Sequence, residues 1–414
     1  MPPSSAPTDR PPRRWRARLL AVALAWLVCE AVLWTFVRLP HPYAAVETQR
    51  LDQQVVDHLQ GAPPNRYLPS YHLPASIRIE TDGDALPGVS GAGTFTINRF
   101  GFRSPRLQSV AKAADTRRVF CLGGSTTECL YLDDRAAWPE VLQQELGVPG
   151  LDVVNAGHSG DVSRDHVALL AQRVVAFAPD VVIVLAGIND MFQQLAPDYS
   201  PLRDDTRARA GARSIGADNA LESFACDLSQ VARGAVLAMR HLSTPVLAGA
   251  RQDPHGGWVA RERAKWRALP WRSEPLAVDP APEFAENLRS LVGLCRAHDA
   301  VPVLLTQPAL WGSDDPRCEQ RFWRRPPDDR RVPHRELWQQ LERFNDVTRA
   351  VAAATGCVLV DLARELPKAV ESFYDDDHVN VAGAQQLGRI VSAALSAAPS
   401  VAARLRLGAS ARGR

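Results

Sequence analysis

The sequence predicts an α/β fold in which a central parallel sheet is covered by helices on both faces. Short apolar runs alternate with amphipathic stretches across residues 118–396, a pattern typical of buried parallel strands joined by helices. The first run, residues 119–122, stops abruptly at Gly123-Gly124-Ser125, and helical spacing follows. Glycines allow the tight turn that joins such a strand to a helix. Ser125 is therefore expected at the carboxyl end of a strand.

The remaining elements follow in order along residues 118–396. A helix is expected over residues 164–177, and strands are expected at residues 119–122, 151–155, 180–186, 301–306 and 357–361. An insertion over residues 191–285 is rich in Arg, Pro and Trp, with one helical stretch around residues 218–242. A segment this long beside strand ends is typical of a lid or a binding surface.

The N-terminal region predicts a membrane anchor. Residues 1–18 are rich in Pro, Ser and Arg and are expected to be disordered. Residues 19–38 are expected to form a transmembrane helix, because the run from Leu19 to Val37 is apolar and long enough to cross a bilayer. Five arginines precede this run and only Arg38 closely follows it, which predicts a cytoplasmic N-terminus and a periplasmic remainder at a bacterial inner membrane. A cleaved signal peptide is the alternative, but no small-residue cleavage site follows. Glu30 is discordant, and a helix–helix pairing would account for it.

Two regions flank the main domain. Residues 39–117 contain short alternating pieces separated by Pro and Gly, and we expect a small β-rich lead-in that packs on the main domain. The lead-in ends in Asn-x-x-Gly-Phe-Arg, from Asn98 to Arg103. The tail, residues 397–414, consists mostly of small and basic residues and is expected to be disordered.

Composition excludes several classes of function. Lys and Arg total 48 against 46 Asp and Glu, so the charge balance gives no sign of nucleic-acid binding. The seven cysteines form no C-x-x-C motif or Cys/His cluster, so neither a metal site nor a redox motif is expected, and no cofactor is implied. A disulfide among Cys226, Cys295 and Cys318 stays open.

Chemically competent residues recur at the strand-to-helix junctions. Ser125 follows the first strand, Gly160 the second and Asn189 the third, and Asp375 and His378 follow the last. These junctions share one edge of a parallel sheet, so their side chains are expected to converge. A serine hydroxyl needs an imidazole to take its proton, and a carboxylate holds that imidazole in one tautomer. Backbone N–H groups and an amide stabilise a tetrahedral oxyanion.

The motifs around these residues resemble the four blocks of the SGNH (GDSL-like) hydrolase family, in the family's order, across residues 118–395. The blocks are Gly-Gly-Ser-Thr-Thr, Asn-Ala-Gly-His-Ser-Gly-Asp, Gly-Ile-Asn-Asp and Asp-x-x-His. The resemblance implies a flavodoxin-like three-layer fold and hydrolysis of esters or acyl groups. It implies Ser125 as nucleophile, His378 as base and Asp375 as its orienting carboxylate, with Ser125, Gly160 and Asn189 forming the oxyanion hole. The Asn-x-x-Gly-Phe-Arg lead-in also resembles membrane-anchored bacterial members.

The sequence departs from related patterns at two places. Gly124 stands where the family's namesake motif has Asp, which leaves the serine untouched. Thr127 replaces the final glycine of the Gly-x-Ser-x-Gly elbow, which argues against an α/β-hydrolase. Asp376 or Asp377 could orient the imidazole instead, although the i−3 spacing favours Asp375.

Other candidates near the site have structural explanations as well. Asp190 is expected to cap a helix or anchor a loop, and His158 and His166 are expected to line the pocket or to be ordinary surface histidines. Five tryptophans could stack on sugar rings or acyl chains, or could simply pack in the core: Trp258, Trp266, Trp271, Trp311 and Trp323.

Three hypotheses for function follow. The first is a serine esterase that works through an acyl-enzyme and removes O-acyl, often O-acetyl, groups from an envelope glycan, or else acts on a lipid or small ester. The second is an O-acyltransferase, which passes the acyl group to a sugar hydroxyl. The long insertion favours this hypothesis, because it could exclude water and hold an acceptor. The third is a non-catalytic glycan-binding scaffold that keeps the fold.

Overall fold

The computed structural model describes residues 14–37, 75–81, 83–89, 91–196, 199, 229–232, 234–235, 257–276, 278–326 and 328–407. The chain forms two compact units. One contains residues 1–46 and 212–249, and the other contains residues 47–211 and 250–414. The second unit holds the predicted α/β domain and its lead-in.

A five-stranded parallel sheet forms the centre of the second unit, as the sequence predicts. Its order is β4-β3-β5-β6-β7, with β3 in Arg117–Gly123, β4 in Leu151–Gly157, β5 in Val181–Leu185, β6 in Val301–Leu305 and β7 in Val358–Val360. All five residues of β5 are buried, because a central strand of a doubly covered sheet has no solvent-facing side.

Helices cover both faces of the sheet, which gives the three-layer α/β architecture that the sequence predicts. In chain order, the described helices of this unit are α2 (Ser125–Glu128), α3 (Trp138–Leu146), α4 (Ser163–Gln172), α5 (Ile188–Gln194), α6 (Gly257–Ala268), α7 (Pro282–Ala297), α8 (His334–Thr355), α9 (Leu362–Glu365), α10 (Val381–Ala397) and α11 (Pro399–Leu405). The helix α3 packs against α10, and α7 contacts both α4 and α8. Gly388 lies where a Cβ would be 2.6 Å from Val141 Cγ1, so a glycine is needed for α10 to approach α3 this closely.

The lead-in forms an antiparallel hairpin, β1 (Ala75–Thr81) and β2 (Gly91–Ile97). Beyond it, the Asn98 Oδ1 accepts the N–H groups of Phe100 and Phe102, which folds the motif into a tight turn. The buried Arg103 guanidinium then donates to the carbonyls of Glu128, Cys129 and Leu132. The lead-in therefore contacts the loop that follows α2.

The N-terminal helix α1 (Arg14–Val32) continues as a π-helical turn, Leu33–Val37. Residues Arg18–Phe36 are long and apolar enough to cross a membrane, a property that an anchor and a signal sequence share. Glu30 accepts hydrogen bonds from Ser229, Gln230 and Val231 of the same compact unit, so the discordant carboxylate has partners. Of the helix expected around residues 218–242, only 229–232 and 234–235 lie within the described residues.

Both predicted disordered ends are partly helical. The helix α1 begins at Arg14, inside the segment 1–18 that was expected to be disordered. In the tail 397–414, α10 ends at Ala397 and α11 follows, with Val401 and Leu405 fully buried. The prediction for the tail is wrong up to residue 407, because Pro399 starts a helix and apolar residues spaced four apart bury one face of it. Residues 408–414 lie outside the described part. Cys295 and Cys318 are free, buried thiols.

Candidate active site

The turn after β3 presents Ser125 at the start of α2. Gly123 ends the strand, and a Cβ there would lie 2.1 Å from Thr127 Oγ1 and 2.9 Å from the Leu185 carbonyl oxygen. No side chain fits in that space, so the glycine allows α2 to fold directly over the strand end. At the start of this four-residue helix, the N–H groups of Thr127 and Glu128 donate to the Gly124 carbonyl at 3.0 Å, whereas the Ser125 N–H has no acceptor in its own helix.

Ser125, His378 and Asp375 form a continuous hydrogen-bonded chain. Ser125 Oγ lies 2.7 Å from His378 Nε2. His378 Nδ1 lies 2.8 Å and 2.9 Å from the two carboxylate oxygens of Asp375. The structure thus brings together a hydroxyl, an imidazole and a carboxylate that are separated by up to 253 positions in sequence. This is the arrangement that a nucleophilic serine requires.

The electrostatics of this chain favour the charged imidazolium. Burial lowers the pKa of His378, but the carboxylates of Asp375 and Asp377 and the hydrogen bond to Asp375 outweigh burial, so the net pKa is raised. Burial raises the pKa of Asp375, yet His378 and the Trp323 indole outweigh burial and lower it. Asp375 therefore remains ionised beside the imidazole.

Asp376 and Asp377 have partners of their own, which come from residues 311–324. The fully buried Asp376 accepts Trp311 Nε1 at 2.9 Å and the Trp323 N–H at 2.8 Å. Asp377 forms a two-point ion pair with Arg324, at 2.6 Å and 3.0 Å. Its nearest approach to His378 Nδ1 is 3.7 Å, so the geometry favours Asp375 as the orienting group.

Trp323 has a role at the base that the sequence does not predict. Its indole Nε1 donates to Asp375 Oδ2 at 2.9 Å, while its backbone N–H donates to Asp376. The sequence left this tryptophan between ligand stacking and plain packing, and neither describes a hydrogen bond to the orienting carboxylate. A Trp-Arg pair facing an Asp-Asp-Asp run was the available signal, but its contact depends on tertiary structure.

Gly160 and Asn189, which the sequence analysis expects to join Ser125 in an oxyanion hole, lie just after β4 and β5. Gly160 has a φ of +89° in the turn after β4, a backbone conformation that favours glycine. Among the described residues, no acceptor is bonded to the N–H groups of Ser125 and Gly160. The Asn189 amide donates one hydrogen to the Asp161 carbonyl at 2.9 Å, which leaves its second hydrogen available.

Gly124 gives the Asn189 amide its space. A Cβ at Gly124 would lie 2.6 Å from Asn189 Nδ2, although the backbone there (φ −82°, ψ −150°) suits any residue. The glycine is therefore needed for space rather than for conformation. The departure from the family's Asp has a consequence for the oxyanion side that the sequence analysis did not anticipate.

Glu128 connects the nucleophile turn to the oxyanion turn, a contact that the sequence analysis also missed. The buried carboxylate at the end of α2 accepts the Ser159 N–H at 2.7 Å and the Ser159 hydroxyl. Ser159 directly precedes Gly160. A Cβ on Gly157 would lie 2.3 Å from the Glu128 nitrogen, so β4 and α2 are in close backbone contact there.

The remaining candidates are structural. Asp190 accepts the N–H of Ser163 at 3.0 Å and its hydroxyl at 2.6 Å, so it anchors the start of α4. His158 and His166 are buried, so the expectation of surface histidines is wrong for both. Burial lowers the pKa of His166.

Asp375, Asp377 and His378 are close enough to bind a metal ion together. Their atoms already have partners, however. Arg324 donates to both carboxylate oxygens of Asp377, and His378 Nδ1 bonds to Asp375. The Arg324 guanidinium already provides the positive charge that a cation would bring to this cluster.

Comparisons with known proteins identify the class to which this fold and site belong. Residues 121–272 match the model of the GDSL-like lipase/acylhydrolase family. The chain is 32% identical over 213 residues to Esterase TesA of Pseudomonas aeruginosa, a match that covers 49% of this chain and 89% of that protein. The chain therefore belongs to the GDSL-like, or SGNH, hydrolase family, and it is an ester hydrolase of that family.

Solved structures of similar proteins were also found. A GDSL-like lipase from Bacteroides thetaiotaomicron is 14% identical, with a TM-score of 0.37 over 70% of this chain and 93% of that chain. A mutant of an acetyl-xylooligosaccharide esterase from Geobacillus stearothermophilus is 18% identical, with a TM-score of 0.37 over 69% of this chain and 96% of that chain.

Proposed function

We propose that this protein is a membrane-anchored serine esterase that works through an acyl-enzyme on Ser125. The observation that carries the proposal is the hydrogen-bonded chain from Ser125 Oγ through His378 to Asp375, with 2.7 Å and 2.8 Å contacts. A hydroxyl in contact with a buried, carboxylate-bound imidazole is poised to lose its proton as it attacks a carbonyl carbon.

The first half of the reaction acylates the serine. Ser125 Oγ attacks the ester carbonyl while His378 Nε2 takes its proton, and Asp375 holds the proton on Nδ1 and stabilises the imidazolium. The carbonyl oxygen becomes an oxyanion, which the Ser125 and Gly160 N–H groups and the Asn189 amide stabilise. The imidazolium then returns its proton to the leaving alcohol as the acyl-enzyme forms.

The second half returns the enzyme to its starting state. A water molecule replaces the alcohol, His378 takes a proton from that water, and the resulting hydroxide attacks the acyl carbon on Ser125. The same three donors stabilise the second oxyanion. The acid leaves, and Ser125 Oγ regains its proton from His378. Every proton is transferred by side chains that are present in the described site.

The substrate that we propose is an O-acyl group, most simply acetyl, on an envelope glycan, with a lipid or small ester as the alternative. One of the similar solved structures is that of an acetyl-xylooligosaccharide esterase mutant. The five arginines that precede Leu19 and the apolar span Arg18–Phe36 support a single-pass topology at a bacterial inner membrane, with the catalytic unit on the periplasmic side.

The test uses the full-length chain in detergent with p-nitrophenyl acetate and an acetylated oligosaccharide. Wild-type protein should release acetate from both, and Ser125→Ala should release none above background. Products decide between water and sugar as acceptor, because acylated sugar in place of free acid would identify a transferase. Equal rates for Ser125→Ala and wild type would overturn the mechanism.

The two alternative hypotheses, a non-catalytic scaffold and an O-acyltransferase, have different support. Family membership and the intact Ser–His–Asp geometry set the non-catalytic scaffold aside. Transfer to a sugar remains an outcome of the product analysis, since the insertion that motivated it lies largely outside the described residues.

A further inference from the structure

The N-terminal helix is exposed along residues 18–36 except at two positions. Glu30 and Leu33 are partly covered, and all other residues in that range are exposed. Residues three apart lie on the same face of a helix. The face of the apolar helix that carries Glu30 and Leu33 is therefore covered by a partner, although the sequence gives the helix no amphipathic pattern.

The partner is the start of a short helical segment in the insertion. Gln230 N–H donates to Glu30 Oε2 at 2.8 Å, and Val231 N–H donates to Oε1 at 3.2 Å. The Ser229 hydroxyl also donates to Oε1 and accepts the Ala232 N–H at 2.9 Å. The first N–H groups of a helix lack acceptors in their own helix, and here a carboxylate from another helix and a serine hydroxyl take that role.

The position of Glu30 sets the depth of this contact. Glu30 lies six residues before Phe36, the end of the apolar span, which is roughly 9 Å along a helix. A charged side chain inside a bilayer is costly unless it has partners, and backbone N–H groups at that depth need acceptors. The contact meets both requirements at once, since the carboxylate accepts the N–H groups that would otherwise lack acceptors.

We infer that residues 229–232 enter the outer leaflet of the membrane and dock on the anchor helix at Glu30. The apolar helix is then a permanent part of the protein rather than a removed signal sequence, and the insertion makes a second contact with the bilayer. The inference rests on the proposed periplasmic topology. It agrees with the grouping of residues 1–46 and 212–249 into one compact unit.

Disulfide trapping in native membranes tests the contact. Full-length protein with Cys29→Ser and Cys226→Ser provides the background, because these native cysteines lie close in sequence to the tested positions. Glu30→Cys with Ser229→Cys is compared with Val28→Cys with Ser229→Cys. Val28 is 56% exposed and lies on a different face of the helix. A protease site placed within residues 47–70 lets the crosslink be detected as two fragments that separate only on reduction.

The inference predicts a clear difference between the two pairs. The 30–229 pair should crosslink at least ten times faster than the 28–229 pair under mild oxidation. Equal rates, or no crosslink at 30–229, would overturn the docking. A mature chain that begins beyond residue 37, by N-terminal sequencing of the membrane fraction, would overturn it as well.

Thiol accessibility gives an independent test of the contact. It includes Glu30→Gln, a substitution that nearly preserves the shape of the side chain. In the same background, Ser229→Cys alone should be protected from a membrane-impermeant maleimide. Adding Glu30→Leu should raise labelling several-fold, whereas Glu30→Gln should retain most protection, because its amide oxygen still accepts. Equal labelling in all three proteins would contradict the inference.

Esterase activity measured on the same membranes separates the two proposals. Activity without a 30–229 crosslink would reject the docking alone. A crosslink in protein that does not hydrolyse esters would reject the proposed function and leave the docking in place.

Discussion

The two sides of the candidate active site are built in different ways. The nucleophile side consists of turns after the adjacent strands β3, β4 and β5, and each turn contributes its own short motif. The base side is one turn before α10 whose three carboxylates are held by residues 311–324, a segment more than fifty positions away. The first side is thus specified locally, whereas the second depends on a tertiary contact.

That difference predicts different failures. Changes on the nucleophile side should displace the donors of the oxyanion and lower the rate without changing its pH dependence. Changes on the base side should alter the charge balance around His378 and therefore move the pH at which activity is lost. Four substitutions test this contrast, in order of expected effect.

The largest effect is expected from Asp375→Asn. An amide cannot hold the imidazole in the required tautomer, so kcat for p-nitrophenyl acetate should fall by roughly 10³- to 10⁴-fold. The control is Asp376→Asn, at a buried carboxylate that touches Trp311 and Trp323 but not His378. This control should lower the melting temperature and change kcat far less. If Asp376→Asn loses most of its kcat while Asp375→Asn stays active, Asp376 rather than Asp375 is the group that orients His378.

Gly124→Ala should lower kcat by about 10²-fold with little change in KM, because the new Cβ displaces the Asn189 amide from the oxyanion hole. Steady-state kinetics of the purified full-length protein measure this split. Gly293→Ala is the matched control, since nothing lies near its Cβ in the middle of α7. That control should keep wild-type kinetics and gain about 0.5–1 kcal/mol of stability.

Glu128→Gln should lower kcat by roughly tenfold. Both Ser159 hydrogen bonds go to one carboxylate oxygen, Oε2, and an uncharged amide oxygen accepts them more weakly, which loosens the position of the Gly160 N–H. The pH midpoint of kcat should stay at the wild-type value, because the Ser–His–Asp chain is untouched. Ser159→Ala removes only the hydroxyl bond and should have a smaller effect. A shifted midpoint with unchanged plateau rate would contradict the positioning role of Glu128.

The smallest rate effect, with a shift in pH dependence, is expected from Trp323→Phe. Because the pKa of His378 is raised and the base must be neutral, wild-type activity should fall with decreasing pH through a midpoint above about 6.5. Removing the indole N–H leaves more of the Asp375 charge to stabilise the imidazolium. The midpoint should move to higher pH, while the plateau falls a few-fold.

Trp311→Phe is the control for this shift, because its indole binds Asp376 rather than Asp375. A complete pH profile of kcat for each variant gives the comparison. If both tryptophan variants shift the midpoint equally, the indole of Trp323 has no particular effect on Asp375.

The same contrast explains what the sequence could predict. Apolar strands, Gly-Gly turns and junction residues are local patterns, so the parallel sheet and the positions of Ser125, Gly160 and Asn189 just after its strands could be predicted from them. The supports of the base, Trp323 and Arg324, lie in an irregular segment where no periodicity places them near residue 375. The Gly124–Asn189 and Glu128–Ser159 contacts depend on how closely two turns approach, which a strand pattern does not contain.

The helix α11 shows a different limit. Its small and basic composition resembles a frayed tail, but Val401 and Leu405 lie one helical turn apart and are both fully buried. Two apolar residues are too few to show a helical period in sequence. Only the packing surface that the domain offers decides between a frayed tail and a docked helix.

The central claim is that His378 and Asp375 activate Ser125 as the nucleophile. The most direct measurement is reaction of the full-length protein with a fluorophosphonate, followed by peptide mass mapping. The account predicts one modification per chain, on Ser125, with labelling strongly slowed in His378→Ala and absent in Ser125→Ala. Rapid labelling of Ser125→Ala at another residue, or wild-type protein that hydrolyses esters while Ser125 stays unmodified, would contradict it.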